Sequence, residues 1–255
     1  MTTADFISEW FYRVDEAMRG RAKHPQASLW PREVGTLGSL FALKGSGNRA
    51  FSRGVSRDWR SLLPALPERT RLFRLFATPQ AWPQEFLAAP AVLGGVDSYG
   101  IELLHPLREG RSAQQIGRKG KSNRRWIVGG KLCLLLIHLG LVVAWDCAGA
   151  HAPDTAFHPR IEAFEQEMSV LSDTGFHAKV GDPSNLKLCA RSTWNTGMLV
   201  ETVLARLTGV CHLQKVAHCT WAAFQARLAF TLATFNRLVQ WDGLQPDAQG
   251  VIHLS

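Results

Sequence analysis

The chain has 255 residues, 46% of them hydrophobic and 20% charged, a composition that can build a packed core and argues against wholesale disorder. Its length accommodates one large domain, or a small helical domain followed by an α/β domain of about 150 residues. A formal net charge of +8 and a pI of about 9.6 favour a polyanionic partner, nucleic acid or an anionic surface, without choosing between them. The five cysteines, Cys133, Cys147, Cys189, Cys211 and Cys219, are odd in number and form no CxxC pair. A disulfide framework is therefore not expected, and a reducing compartment fits. The opening MTTADFISEWFYRVDE carries acids and no cleavage-site pattern, so no secretory signal is expected. The longest apolar run, Leu132 to Trp145, has 14 residues and is interrupted by His138 and Gly140. A membrane-crossing helix needs about 20, so no membrane partner is expected.

Residues 1 to about 90 predict a helical domain. Phe6, Ile7, Trp10, Phe11 and Val14 recur at helical spacing. A second helix starts near Pro31, a favoured first-turn residue, and carries Val34, Leu37, Leu40 and Phe41 until GSGN at 45–48 breaks it. A third segment runs from Asn48 to before Pro64. A fourth follows Pro67, with Arg69, Arg71 and Arg74 among Leu72, Phe73, Leu75 and Phe76. From Ala91 the pattern changes. Val92, Leu93 and Val96 predict a buried strand entering Asp97, and Ile101–Leu104 are again apolar. The basic stretch 106–125 reads as a loop. Trp126–Ile137 and Leu141–Cys147 read as a hairpin, and their near-continuous apolar run fits strands covered on both faces. A helix is expected with Ile161, Phe164 and Met168 on one side and Glu162, Glu165 and Glu167 on the other. Short strands follow at Val170–Leu171 and Leu186–Leu188, then helices over about 193–207 and 216–241. The stripe Trp221, Phe224, Leu228, Leu232, Phe235 and Leu238 in the last helix predicts core packing. This order gives an α/β (α+β) domain over 91–245, a mixed sheet flanked by helices, with a tail at 246–255.

Three acids fall where catalytic carboxylates are useful. Asp97 follows a hydrophobic strand in GGVDSYG, Asp173 ends another in VLSDTGFHA, and Glu201 lies on a helix in NTGMLVETVLARL. Ligands of α/β sheets gather at strand ends. Oxygen-only carboxylate sites suit magnesium, and a pair of such ions can activate an attacking oxygen and stabilise a leaving one. By position alone Asp146, Asp154 and Asp182 are comparable candidates. Cys211, His212, His218 and Cys219 match no common structural zinc spacing.

The segments GVDSYGIELLHPLREGRSAQQIGRKG, RRWIVGGKLCLLL, VLSDTGFHA and WNTGMLVETVL resemble bacterial insertion-sequence transposases with a DDE domain. The resemblance extends to LFALKGSGNRAF and LPERTRLFRLF near the start, and it is far more specific than the spacing of the acids. It implies an RNase H-like fold. It makes Asp97 the first catalytic aspartate, Asp173 the second and Glu201 the final glutamate, together binding Mg2+, with Mn2+ able to substitute. The implied reaction is hydrolysis at the element's end, then attack of the freed 3′-hydroxyl on target DNA. The implied partners are terminal inverted repeats, target DNA and a second copy of the chain on paired ends. The implied setting is the bacterial cytoplasm at the nucleoid. Many relatives carry a tyrosine–arginine–glutamate–lysine signature around the last acid. Here Trp194 stands at the tyrosine, Gly197 at the arginine and Thr208 at the lysine. Trp194 can still stack on a base or sugar. Gly197 cannot hold a phosphate by a bidentate contact, so a catalytically impaired, transposase-derived DNA-binding protein is the alternative, unless Lys215 or Arg206 substitutes.

Arg108, Arg111, Arg118, Lys119, Lys121, Arg124 and Arg125 face the single acid Glu109 between the first acid's strand and the hairpin. They are expected to contact DNA phosphates, a salt-sensitive interaction, and a solvated surface loop is the plain alternative. Lys131 either neutralises phosphate or marks a strand end. Arg49, Arg53, Arg57, Arg60, Arg69, Arg71 and Arg74 in the helical start fit a helix-turn-helix reader of inverted repeats or a plain helical packing domain. A generic basic α/β protein that binds RNA or membrane lacks the expected aromatic motifs and amphipathic anchor.

Overall fold

A capping box starts the first helix, α1 (Thr3–Ala17). The Thr2 hydroxyl accepts the Asp5 N–H at 3.2 Å, and the Asp5 carboxylate accepts the Thr2 N–H at 2.8 Å. The computed structural model describes residues 2–78, 82–111, 115–122, 125–189, 195–213 and 220–241. Helix α2 (Pro31–Lys44) begins at its proline, where the Glu33 carboxylate accepts the Trp30 N–H at 2.6 Å. It ends at Gly45 with φ +56°, a left-handed turn that glycine takes without cost. Helices α3 (Asn48–Asp58) and α4 (Arg69–Ala77) follow. Trp82–Phe86 is a short 3-10 turn.

The described residues divide into two compact units, Met1–Phe86 with Val210–Thr234, and Leu87–Gly209 with Phe235–Ser255. The helical unit thus takes in a late segment as well as the N-terminal stretch expected at 1–90. The tail expected at 246–255 lies outside the described residues. The last helix, α7 (Trp221–Trp241), supplies residues to both units.

In the helical unit α2 is the central element, with Val34 through Ala42 all buried. Gly38 makes this possible. A Cβ there would lie 1.9 Å from the ring of Phe230 on α7, so only glycine lets the two helices approach this closely. Around this crossing Phe41, Phe51, Phe73, Phe76 and Phe230 form a chain of ring contacts at 5.0–6.4 Å between centroids. Arg227 is buried among them. It donates to the carbonyls of Phe41, of Ala42 at 2.9 Å and of Cys211 at 3.5 Å, and its guanidinium lies 4.4 Å from the Phe41 ring centroid. The first two carbonyls belong to the last turn of α2, which has no intrahelical donors of its own. Burial pulls the guanidinium down to about 10.

The second unit is built on a six-stranded mixed sheet. Strand β3 (Arg125–Ile137) organises it. Along one edge it pairs antiparallel with β1 (Leu93–Leu104). Its other edge is shared by β2 (Arg118–Ser122), which pairs with its first half, and β4 (Val142–Gly149), which pairs with its second. On the far side of β1 come β5 (Ser169–Ser172) and then β6 (Leu186–Leu188), both parallel. Between β4 and β5 the chain makes a 3-10 turn at Asp154–Phe157 and a short helix, α5 (His158–Glu162). Val96, Cys133, Leu135, Phe157, Ile161, Met168, Val170 and Phe176 pack together against one sheet face. Helix α6 (Asn195–Val210) follows β6 and buries Leu199, Val200, Val203, Leu204 and Leu207. On α7, Asn236 is buried with its amide against β4: Val142 donates to its Oδ1 at 2.8 Å and accepts from its Nδ2 at 2.7 Å.

Three expectations need correction. The first strand does not end at Asp97 but runs on to Leu104, and Val92 and Leu93 at its start are exposed; pairing with β3 carries the ladder through the polar DSYG segment. The basic stretch 106–125 contains a strand, because β3 offers a free edge to residues 118–122. The helix expected through Met168 stops at Glu162 and continues as turns, although Ile161 and Met168 are buried as foreseen.

Arg227→Met is expected to destabilise the protein by about 2–4 kcal/mol, because it strands buried carbonyls at the end of α2. Urea unfolding followed by circular dichroism measures this. A loss below about 1 kcal/mol would mean that those carbonyls find other donors.

Candidate active site

The sheet brings together acids that are far apart in sequence. Asp97 lies within β1 opposite Leu134 of β3. The parallel pairing of β1 with β5 reaches Gly95 opposite Leu171. Two residues on stand Asp97, still within β1, and Asp173, just past the end of β5, so the pairing brings both acids to the same end of the two strands. Asp173 caps the 3-10 turn Thr174–Phe176, accepting the Gly175 N–H at 2.9 Å. Glu201 is exposed on α6 between the buried residues of that helix.

The acids act on one another. Asp97 is half-buried, and its carboxyl is pushed up to about 6. Burial is the main cause, and the Ser98 N–H, 2.6 Å from Oδ1, works against it. The charges of Asp173, Asp154 and Glu201 then add to the upward shift, in that order. The three acids singled out from the sequence therefore share one electrostatic field, and a fourth, Asp154, belongs to it.

Asp154 is held firmly. Its Oδ1 accepts from the Ser98 hydroxyl at 2.6 Å and from Lys131 Nζ at 3.0 Å. A Cβ on Gly175 would stand 3.0 Å from Asp154 Oδ2 and 3.0 Å from Asp173 Oδ1, so any larger residue there would have to push one of these carboxylates aside by a few tenths of an ångström. Strand alternation puts Asp97 and Leu134 on one face of the sheet and Ser98, Lys131 and Cys133 on the other. The Asp154–Lys131 pair thus backs the site from the reverse face. Lys131, expected to meet DNA, is mostly buried and already engaged there. In sequence, Asp154 is indistinguishable from other strand-end acids, and Ser98 and Gly175 give no signal. Their roles arise from the turns that follow β4 and β5. Asp146 and Asp182 are committed locally, the first to the Cys147 N–H at 2.7 Å, the second to His177 Nδ1 at 2.6 Å and the Ala178 N–H at 2.7 Å.

Arg108 and Arg111 are exposed around a 3-10 turn after β1, Arg118, Lys119 and Lys121 are exposed on β2, and Arg125 is exposed at the start of β3. Arg124 and Trp194 lie outside the described residues, as do Lys215, His218 and Cys219. Gly197 lies within α6, and Thr208 is half-buried on the same helix.

Among the described residues no three His, Cys, Asp or Glu side chains already meet at one ligating point. The donor chemistry fits a hard divalent cation all the same: the groups whose charges act on Asp97 are carboxylates, and Asp173 and Glu201 are exposed. Among the described residues no helix is long and apolar enough to cross a membrane.

A raised carboxylate means that the folded chain holds its proton more tightly than the unfolded chain, so folding loses stability as pH climbs from about 4 through about 6. Asp97→Asn is therefore expected to raise the melting temperature at pH 7.5 by the equivalent of about 1–3 kcal/mol, and to leave it unchanged near pH 4. Thermal melts of both proteins across this range test it; an equal difference at both pH values would assign the gain to packing instead. No protein-family model matches this chain, and no curated protein or solved structure does either.

Proposed function

We propose that the chain is a DDE transposase that cuts DNA at insertion-sequence ends and joins them to target DNA, with an RNase H-like catalytic unit. The observation that carries this reading is the meeting of Asp97, within β1, with Asp173, directly after the parallel strand β5, and with Glu201 on a following helix, whose charges push the Asp97 carboxyl up. The strand order supports the fold: antiparallel neighbours on one side of β1, two parallel strands on the other, and crossovers between them.

Asp97, Asp173 and Glu201 would hold Mg2+, or Mn2+ in its place. When bound, the cations supply activation of the attacking oxygen and charge neutralisation at the leaving one. The residues of the chain do the rest. The half-buried Asp97, fixed by its place in the β1–β3 ladder, would offer the cation a carboxylate oxygen at a set position. The pairing of Asp154 with Ser98 and Lys131 steadies β1 and β3 from behind. The cations of β2 and of the turn before it grip the phosphate backbone. In the first step a water oxygen bonds to phosphorus, the bond to the 3′ oxygen breaks, and that oxygen leaves as a hydroxyl. In the second the freed 3′-hydroxyl oxygen bonds to a target phosphorus, the bond from that phosphorus to the target's own 3′ oxygen breaks, and the proton of the attacking hydroxyl ends on the released 3′ oxygen. Paired ends call for two copies of the chain, on DNA at the bacterial nucleoid.

The test is cleavage of a labelled duplex carrying the element's own terminal repeat, with and without magnesium. Magnesium-dependent cutting is expected, falling on the order of a thousandfold in Asp173→Ala. Undiminished cutting by a variant with all three acids changed to alanine would refute the reading. One observation favours a second possibility, a silent DNA-binding descendant. Thr208, two helical turns after Glu201 on the same face of α6, puts a neutral group where the resemblance expects a cation. Specific binding without cutting by either protein would select it.

A further inference from the structure

Strand β2 puts two lysines beside an exposed tryptophan. Lys121 is the cross-strand partner of Trp126 and Lys119 that of Val128, so all three charged or aromatic side chains project from one face of the β2–β3 ribbon. Trp126 keeps 58% of its surface in solvent, unusual for the largest apolar side chain. Lys119 Nζ lies 5.6 Å from its ring centroid and also 3.3 Å from Glu109. Lys121 is exposed and makes no ion pair among the described residues.

Alternation along β3 puts Trp126 on the same face of the sheet as Leu134, and hence as Asp97. The eight-residue step from Trp126 to Leu134 covers about 27 Å of strand. Val128 and Leu132, on the same face between them, are fully buried, so the ribbon is an exposed surface separate from the acids.

We propose that the face carrying Lys119, Lys121 and Trp126 is a stacking platform for an unpaired base of DNA, with the lysines on the flanking phosphates. An indole ring stacks on a base of any sequence, and lysines beside it meet the backbone. Paired bases inside a duplex have both faces covered by their neighbours. The platform therefore takes a frayed, overhanging or extruded base. This rests on the DNA reading of the acid site, and it names the form of DNA that the protein holds.

Fluorescence polarisation on the full chain in EDTA tests it with four probes: a single-stranded oligo(dT), a blunt duplex, the same duplex with a single-stranded overhang, and an oligo(U) RNA. Trp126→Leu is expected to weaken the two DNAs with unpaired bases about tenfold and leave the blunt duplex unchanged, with Trp126→Phe restoring most of the loss. The side chain is exposed, and thermal melts confirm that each variant folds. No change with Trp126→Leu, or an equal loss on the blunt duplex, overturns the platform. Equal Trp126-dependent affinity for the RNA overturns its assignment to DNA. Magnesium-dependent nicking is read separately: Trp126-dependent DNA binding without nicking would keep the platform and remove the transposase reading.

Discussion

The parallel pairing of Leu93–Gly95 with Ser169–Leu171 is the contact on which the candidate site depends. Only three residue pairs make it, yet it alone aligns Asp97 with Asp173. Everything between these strands serves that alignment. The hairpin β3–β4 supplies an antiparallel partner that holds β1 straight through its polar stretch. The crossover through Asp154–Phe157 and α5 returns the chain in the direction that parallel pairing requires. Its first residue, Asp154, then bonds to β1 through Ser98 and to β3 through Lys131, beside Gly175 of the turn after β5.

The site illustrates a tension between folding and chemistry. A sheet gains stability from burying its middle, whereas carboxylates gain stability from water. Asp97 stands between the two and is held as a poor anion by burial and by three like charges. The reverse face resolves the same tension differently, since Asp154 has an ammonium and a hydroxyl within hydrogen-bonding distance. The uncompensated charge is thus concentrated around Asp97, where Asp173 and Glu201 add to it and where a cation would be most welcome.

Where hydrophobic spacing or a turn residue marked an element, the sequence was readable. Pro31 opens α2, Gly45 closes it, and the apolar runs around His138–Gly140 form a hairpin. What escaped was structure that a neighbour imposes. RKGKS has no strand character of its own and becomes β2 because the first half of β3 has an unfilled edge. DSYG continues β1 for the same reason. Ile161 and Met168 are buried, but turns rather than a continuous helix deliver them. The late segment Val210–Thr234 groups with the N-terminal helices through contacts such as Gly38 with Phe230, which no local pattern announces. Of the site, strand-end logic and the family resemblance picked out Asp97, Asp173 and Glu201. Asp154 looked like any other loop acid, because its standing depends on the path of a crossover.

The amide of Asn236 has a consequence for how the protein behaves in crowded solution. Its donor and acceptor take the N–H and C=O of Val142, and the Ala88 N–H adds a second donor to that carbonyl at 2.8 Å. A side chain here imitates the backbone of a missing neighbour strand. A sheet border left open invites another chain to add on, the first step toward fibrous aggregates. An aspartate in place of Asn236 would set an oxygen against the Val142 carbonyl, and the border of β4 would be open at its start to a further strand.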